Sequence, residues 1–110
     1  MSIIAKRLSE LEITLPAAGA PAAAYVMSSQ TGNTLFLSGH IAKKDGKPWV
    51  GKLGQNMTTE EGKAAARAIA IDLMATMQAH LGNLDRVKRI VKVMSLVNST
   101  QEYTEHHLVT

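Results

Sequence analysis

Between Thr58 and Gly82 lies the stretch that most narrows what this chain can become. Thr58 followed three residues later by Glu61 has the form of a capping box: the hydroxyl caps a free amide, and the carboxylate reaches back to the Thr58 N–H. The run then keeps to helix formers and closes on Gly82, suited to a C′ position. This predicts a helix over 59–81. Ala65, Ala66, Ile69, Leu73 and Met77 form one face, yet Ala64, Ala68, Ile71, Met74 and Ala75 leave little polar surface elsewhere. A helix this apolar is covered on more than one side, and its alanines suit close packing on a sheet.

The candidate strands lie on both sides of it. Ala24 to Gln30 reads as a first strand, Thr31-Gly32-Asn33-Thr34 as turn chemistry, and Leu35-Phe36-Leu37-Ser38-Gly39 as the returning strand of a hairpin. Lys43 to Pro48 is a polar turn. Lys88 to Asn98 reads as a further strand, with Ile90, Met94 and Leu96 facing one way and Val91, Val93 and Val97 the other. A strand apolar on both faces belongs inside a sheet covered on both sides. One helix covers one face, and these 110 residues hold no second complete helix for the other, so a partner subunit is the economical cover. Ile4, Leu8 and Leu11 predict a short amphipathic helix over 3–11, and Leu15 to Pro21 an extended connector, since proline lacks a donor and fixes φ. Gln101 to Thr110 reads as a loop entering a second helix that does not arrive within these residues. The class is α+β, in a single domain over 1–110.

Composition removes several chemistries. The chain has no cysteine, which excludes a disulfide scaffold, a cysteine nucleophile and a thiolate metal site. The start, Met1 to Arg7, carries no apolar leader core, and no run approaches a membrane span; a cytoplasmic protein is expected. Net charge is only +3, and the densest basic cluster, Arg86, Lys88, Arg89 and Lys92, reads as a solvated strand entry. Aromatics are limited to Tyr25, Phe36, Trp49 and Tyr103, with no row on which bases would stack, so nucleic acid is not the expected partner.

Candidate sites are few. Ser38-Gly39-His40 ends a buried strand with a hydroxyl, a residue that lets a ligand approach the backbone, and an imidazole. The same pair also serves simply to end a strand, and the residues alone leave the two open. Ser38 lacks the Gly-x-Ser-x-Gly elbow of a hydrolase, since Phe36 and His40 occupy the glycine places. Gly46 to Leu53 has phosphate-loop spacing up to Lys52, but Leu53 cannot hold magnesium. His106 and His107 are adjacent, so their rings diverge by about 100° on a helix, and no metal site is expected. Tyr25 and Tyr103 are open between core, interface and pocket. Asp72 either faces solvent or pairs with Arg67 or Lys63.

In this order the pieces resemble the RidA (YjgF) family, also called the liver perchloric-acid-soluble or translation-inhibitor family. The resemblance is carried by Tyr25, Gly32-Asn33 with Leu35 to Gly39, Asp45-Gly46, Gly51-Lys52-Leu53-Gly54, the capped helix with Ala64-Ala65-Ala66, Leu81 to Val87, and Val91-Lys92-Val93. Arg7-Leu8 through Leu15-Pro16, together with Val97-Asn98, look most like a less-characterised branch.

The resemblance implies a chorismate-mutase-like fold, with helix packed on one face of a mixed sheet. It also implies a homotrimer with pockets between subunits. The implied activity is hydrolysis of reactive 2-imino acids to 2-keto acids and ammonia, with no cofactor. An arginine holds the substrate carboxylate and a glutamate positions water. By position, Ser38 and Gly39 are pocket residues and Tyr25 a pocket wall; no catalytic residue is assigned. His40 stands where the family motif has glutamine, and Asp72 where many members have asparagine. In the family the second helix, the last strands, the arginine, the glutamate and a pocket asparagine come after the position of Thr110. The expectation is therefore a domain lacking its C-terminal part, with impaired activity. A non-catalytic module binding small carboxylates is the alternative, and an endoribonuclease ranks last.

Overall fold

The long helix forms as its sequence dictates. In the computed structural model, which describes residues 2–110 and leaves Met1 outside them, α2 spans Thr59–Leu81. Before it come α1 (Ile3–Glu10), β1 (Ser28–Thr31), β2 (Thr34–Leu37), β3 (Lys43–Lys44) and β4 (Lys47–Pro48). After it come a 3-10 turn (Leu84–Arg86) and α3 (His106–Val109). Two compact units emerge: residues up to His40 with Ile71–Ile90, and Ile41–Ala70 with Val91–Thr110. The second half of α2 belongs to the first unit and the first half to the second.

In the first unit, α1 is held at both ends. The Ser2 hydroxyl accepts from the Ala5 N–H at 3.0 Å, and the Asp85 carboxylate accepts from the N–H groups of Ile3 and Ile4 at 3.0 and 2.8 Å. Those are amides with no partner inside the helix. At the far end Ile13 N–H reaches Leu8 O and Glu12 N–H reaches Ser9 O, the paired bonds of a Schellman motif, with Glu12 at φ 58 where glycine is usual. β1 and β2 pair antiparallel, Ser28 opposite Leu37 and Thr31 opposite Thr34. Gly32, first of the two loop residues, has φ 55, the place a type II′ turn gives to glycine. β1 starts at Ser28, later than the expected start at Ala24. Tyr25 N–H bonds Ala23 O at 2.8 Å, and that tight turn keeps Tyr25 off the ladder. His80 on α2 grips the hairpin: its Nε2–H donates to Gln30 Oε1 at 2.8 Å, and its Nδ1 accepts from the Ser28 hydroxyl at 3.2 Å. Ala75, Thr76 and Leu84 are buried here.

The second unit is built on the other half of α2. Thr58 Oγ1 accepts from Glu61 N–H at 3.2 Å while Glu61 Oε1 accepts from Thr58 N–H at 3.0 Å, so the capping box forms. The Thr58 N–H first, and next the Thr58 hydroxyl donating to the same Oε1 at 3.1 Å, hold the Glu61 carboxyl below the usual carboxylate range; burial opposes them, and Lys44 adds a weaker pull. Gly62 packs closely: a Cβ there would lie 2.9 Å from Leu53 Cδ2 and 3.0 Å from Val109 Cγ2, so both side chains would have to shift. β3 and β4 form a minimal hairpin through Asp45 (φ 54) and Gly46 (φ 75), the two positive values of a type I′ turn.

The segment 88–98 departs from expectation. It carries no ladder; pairing is confined to its far end, where Leu53 N–H bonds Asn98 O at 3.0 Å and Thr100 N–H bonds Leu53 O at 2.9 Å. These belong to a parallel bridge, so pairing is of both senses, but the hydrogen-bonded sheets are two short hairpins. Val91, Val93, Met94 and Leu96 are exposed, Leu96 at 89%. Alternation sets which way side chains point, whereas a ladder also needs an adjacent edge with free N–H and C=O groups. The last segment ends in the single helical turn of α3. No helix among the described residues is long and apolar enough to cross a membrane.

Candidate functional site

β2 delivers its end as a fully bonded residue followed by an unbonded one. Ser38 N–H donates to Met27 O at 2.9 Å, continuing the hairpin one step past the ladder, and Ser38 Oγ donates to Val26 O at 2.5 Å. The Ser38 carbonyl accepts from His40 Nδ1 at 2.7 Å. A carbonyl only accepts, so Nδ1 carries the proton, and in the neutral ring Nε2 accepts from Thr76 Oγ1 at 2.8 Å. Thr76 is 3% exposed on α2.

Gly39 is the opposite case. Its N–H has no hydrogen-bond partner among the described residues, and a Cβ built on it meets nothing within 4 Å. The edge of the site is thus an unpaired backbone donor beside open space. The Ser38 hydroxyl next to it has its proton committed to Val26 O and offers lone pairs. That combination accepts an anion at the N–H and an N–H or ammonium group at the hydroxyl. Tyr25 lies one residue before the carbonyl that Ser38 holds; it is partly exposed, and its hydroxyl accepts from Ala22 N–H at 3.2 Å.

Two arginines of this unit are engaged elsewhere. Arg7 pairs with Glu10 at 3.1 Å, and Arg86 donates to Leu81 O at 2.9 Å. Thr76 is the residue that sequence reasoning missed. Its one signal was a lone hydroxyl in the run Leu73 to Met77, which periodicity reads as a core position.

The second unit holds a shallow cavity of about 470 Å³ at the start of α2, lined by Gly54 to Thr59 and Tyr103. Its hydroxyls are engaged internally: Thr59 Oγ1 donates to Glu105 at 2.7 Å, so Tyr103 OH donates to Thr59 at 2.6 Å. His106 bonds Ser99 at 2.8 Å and meets the Tyr103 ring edge-on at 5.1 Å. Tyr103 is therefore an anchor for the terminal turn. Lys63 pairs with Glu60 at 3.2 Å. Gly46 to Leu53 opens no helix, since α2 begins at Thr59, and the phosphate-loop spacing has no structural counterpart.

The sequence profile described as "YjgF/chorismate mutase-like, putative endoribonuclease" matches residues 5–109. The chain belongs to the YjgF family. Among its relatives, Protein TCP17 of Trypanosoma cruzi is 48% identical over 107 residues, 96% of this chain and 67% of that protein. A crystal structure from Shewanella oneidensis MR-1, named as that of a "putative endoribonuclease", superposes with a TM-score of 0.90 at 30% identity, covering 96% of this chain and 70% of the other. The Agrobacterium tumefaciens protein Atu1372, of unknown function, superposes at 0.83 with 36% identity, covering 94% and 64%. The fold is therefore the α+β, chorismate-mutase-like fold of the YjgF family. This chain spans about two thirds of the length of these relatives.

Proposed function

We propose that the Ser38-Gly39 edge is one side of a cleft for a small 2-imino or 2-keto acid, completed by a neighbouring copy in a homotrimer, with Tyr25 on its wall. The reaction is imine hydrolysis: water adds to the imine carbon, and the carbinolamine loses ammonia to leave the 2-keto acid. The observation that supports this most is the unpaired Gly39 N–H beside open space, a donor suited to a carboxylate oxygen. The Ser38 hydroxyl, already donating to Val26 O, is left to accept from the substrate nitrogen. Such a site works by orientation more than by acid strength.

One backbone donor is a weak hold on a carboxylate, and Arg7 and Arg86 are committed to Glu10 and Leu81 O. The 110-residue chain is therefore expected to bind 2-ketobutyrate but to hydrolyse 2-iminobutanoate no faster than buffer. An amino-acid oxidase supplying the imine, with ammonia release followed, is the assay. Clear turnover removes the claim of impairment while strengthening the reaction class; failure to bind 2-ketobutyrate overturns the site. The endoribonuclease named for the Shewanella oneidensis protein ranks below this, because a net charge of +3 and two aromatics per unit offer RNA little.

A further inference from the structure

We propose that His40 is a positioning residue that fixes the peptide between Ser38 and Gly39, so that the Gly39 N–H is presented to the ligand carboxylate. This rests on the reading of the site as a carboxylate cleft. Ser38 C=O and Gly39 N–H belong to one peptide group. That group is planar and trans, so the two bonds point in opposite directions. Whatever holds the carbonyl aims the N–H. The other two bonds of Ser38, from its N–H and its hydroxyl, act before the Cα–C bond and leave rotation of the following peptide free. Gly39, lacking a Cβ, offers that rotation little steric resistance. The bond from His40 Nδ1 at 2.7 Å is the restraint.

The ring needs an anchor of its own, and Thr76 supplies it. The hydroxyl is buried on a 23-residue helix and meets Nε2 at 2.8 Å. As a donor it also selects the tautomer with the proton on Nδ1, the one that can bond a carbonyl. The bond to the carbonyl polarises the peptide and strengthens its N–H as a donor. A relay thus runs from the helix through hydroxyl, ring and carbonyl to the N–H that meets the ligand.

The test uses the 110-residue protein, labelled for NMR, in wild type, His40→Ala, His40→Asn and Thr76→Val. The Asn amide nitrogen replaces Nδ1 and keeps the carbonyl bond. In ligand-free protein the His40 ring is expected as the Nδ1-protonated tautomer. The Ser38 carbonyl carbon is expected to shift upfield in H40A and to stay in H40N. Titrated with 2-ketobutyrate, H40A is expected to lose about tenfold in affinity. H40N stays within about threefold of wild type, and T76V falls between, each variant still melting cooperatively. H40A binding like wild type, or a folded H40N as weak as H40A, overturns the positioning role. Should H40A not fold, T76V decides: wild-type affinity there overturns the relay. Wild type that ignores 2-ketobutyrate overturns the carboxylate reading instead. The ligand-free spectra tell the two failures apart, because an Nε2-protonated ring or a Ser38 carbonyl indifferent to H40A counts against His40 alone.

Discussion

Glu12 sits in the left-handed region at φ 58, at the C′ position of α1, where the Schellman bonds from Glu12 and Ile13 N–H demand that conformation. A residue with a Cβ is strained there by about 1–2 kcal/mol; glycine relieves the strain but offsets part of the gain through a more flexible unfolded chain. Glu12→Gly is expected to stabilise the protein by about 0.5–1 kcal/mol, read as a rise in the urea midpoint; an unchanged midpoint would show that the strain is relieved elsewhere. Gly62 illustrates the reverse constraint: helix propensity favours alanine there, yet the added carbon would press on Leu53, only 3% exposed, and on Val109. At this scale the sequence made Gly82 readable, since its φ of 81 at the end of α2 matches the predicted C′ role. Glu12 escaped it, because glutamate carries no turn signal.

Among the elements, α2 shows how local chemistry and solution conditions couple. The Thr58 N–H and the Thr58 hydroxyl both donate to the Glu61 carboxylate, which favours its ionised form and holds it below the ordinary carboxylate range. A depressed native value means that the unfolded chain takes up the proton first as pH falls. The contribution is present above the ordinary glutamate range and is lost as pH drops through the lowered native value. Glu61→Gln, which keeps a side-chain acceptor for the Thr58 N–H, is expected to flatten that part of the acid limb without changing the shape of the neutral plateau. Melting curves between pH 7 and the onset of acid unfolding check it, and an acid limb as steep as wild type would reject the assignment. The start of α1 depends on a different element, through Asp85 of the 3-10 turn. That bond spans 82 positions from Ile3.

For the whole molecule, the decisive feature is the apolar surface of segment 91–96. Val91, Val93, Met94 and Leu96 are 69–89% exposed, and burying a side chain of this kind is worth roughly 1.5–3 kcal/mol. Such a segment with unpaired backbone groups also invites edge-to-edge pairing. The proposed homotrimer would cover it. Sedimentation equilibrium is expected to give three times the 11.8 kDa chain mass, and Leu96→Lys to lower it. A wild-type monomer at micromolar concentration would end that reading and leave the exposed segment as an aggregation liability.

Features set by neighbours a few positions apart are legible in the sequence alone: the α2 limits from Thr58, Glu61 and Gly82, the hairpin turn at Gly32-Asn33, and the family itself, from motifs along the chain. Each depends on local geometry that residue types specify directly. Tertiary structure decided what joins distant positions. It put Thr76 behind His40, 36 residues away, and Asp85 at the start of α1. It also left 91–96 without a ladder, because alternation specifies a face but never a partner. For Ser38-Gly39, sequence located a strand end and its small residues. Only the fold determined that the Ser38 carbonyl is held while the Gly39 N–H is free, since the orientation of one peptide depends on a helix remote in sequence.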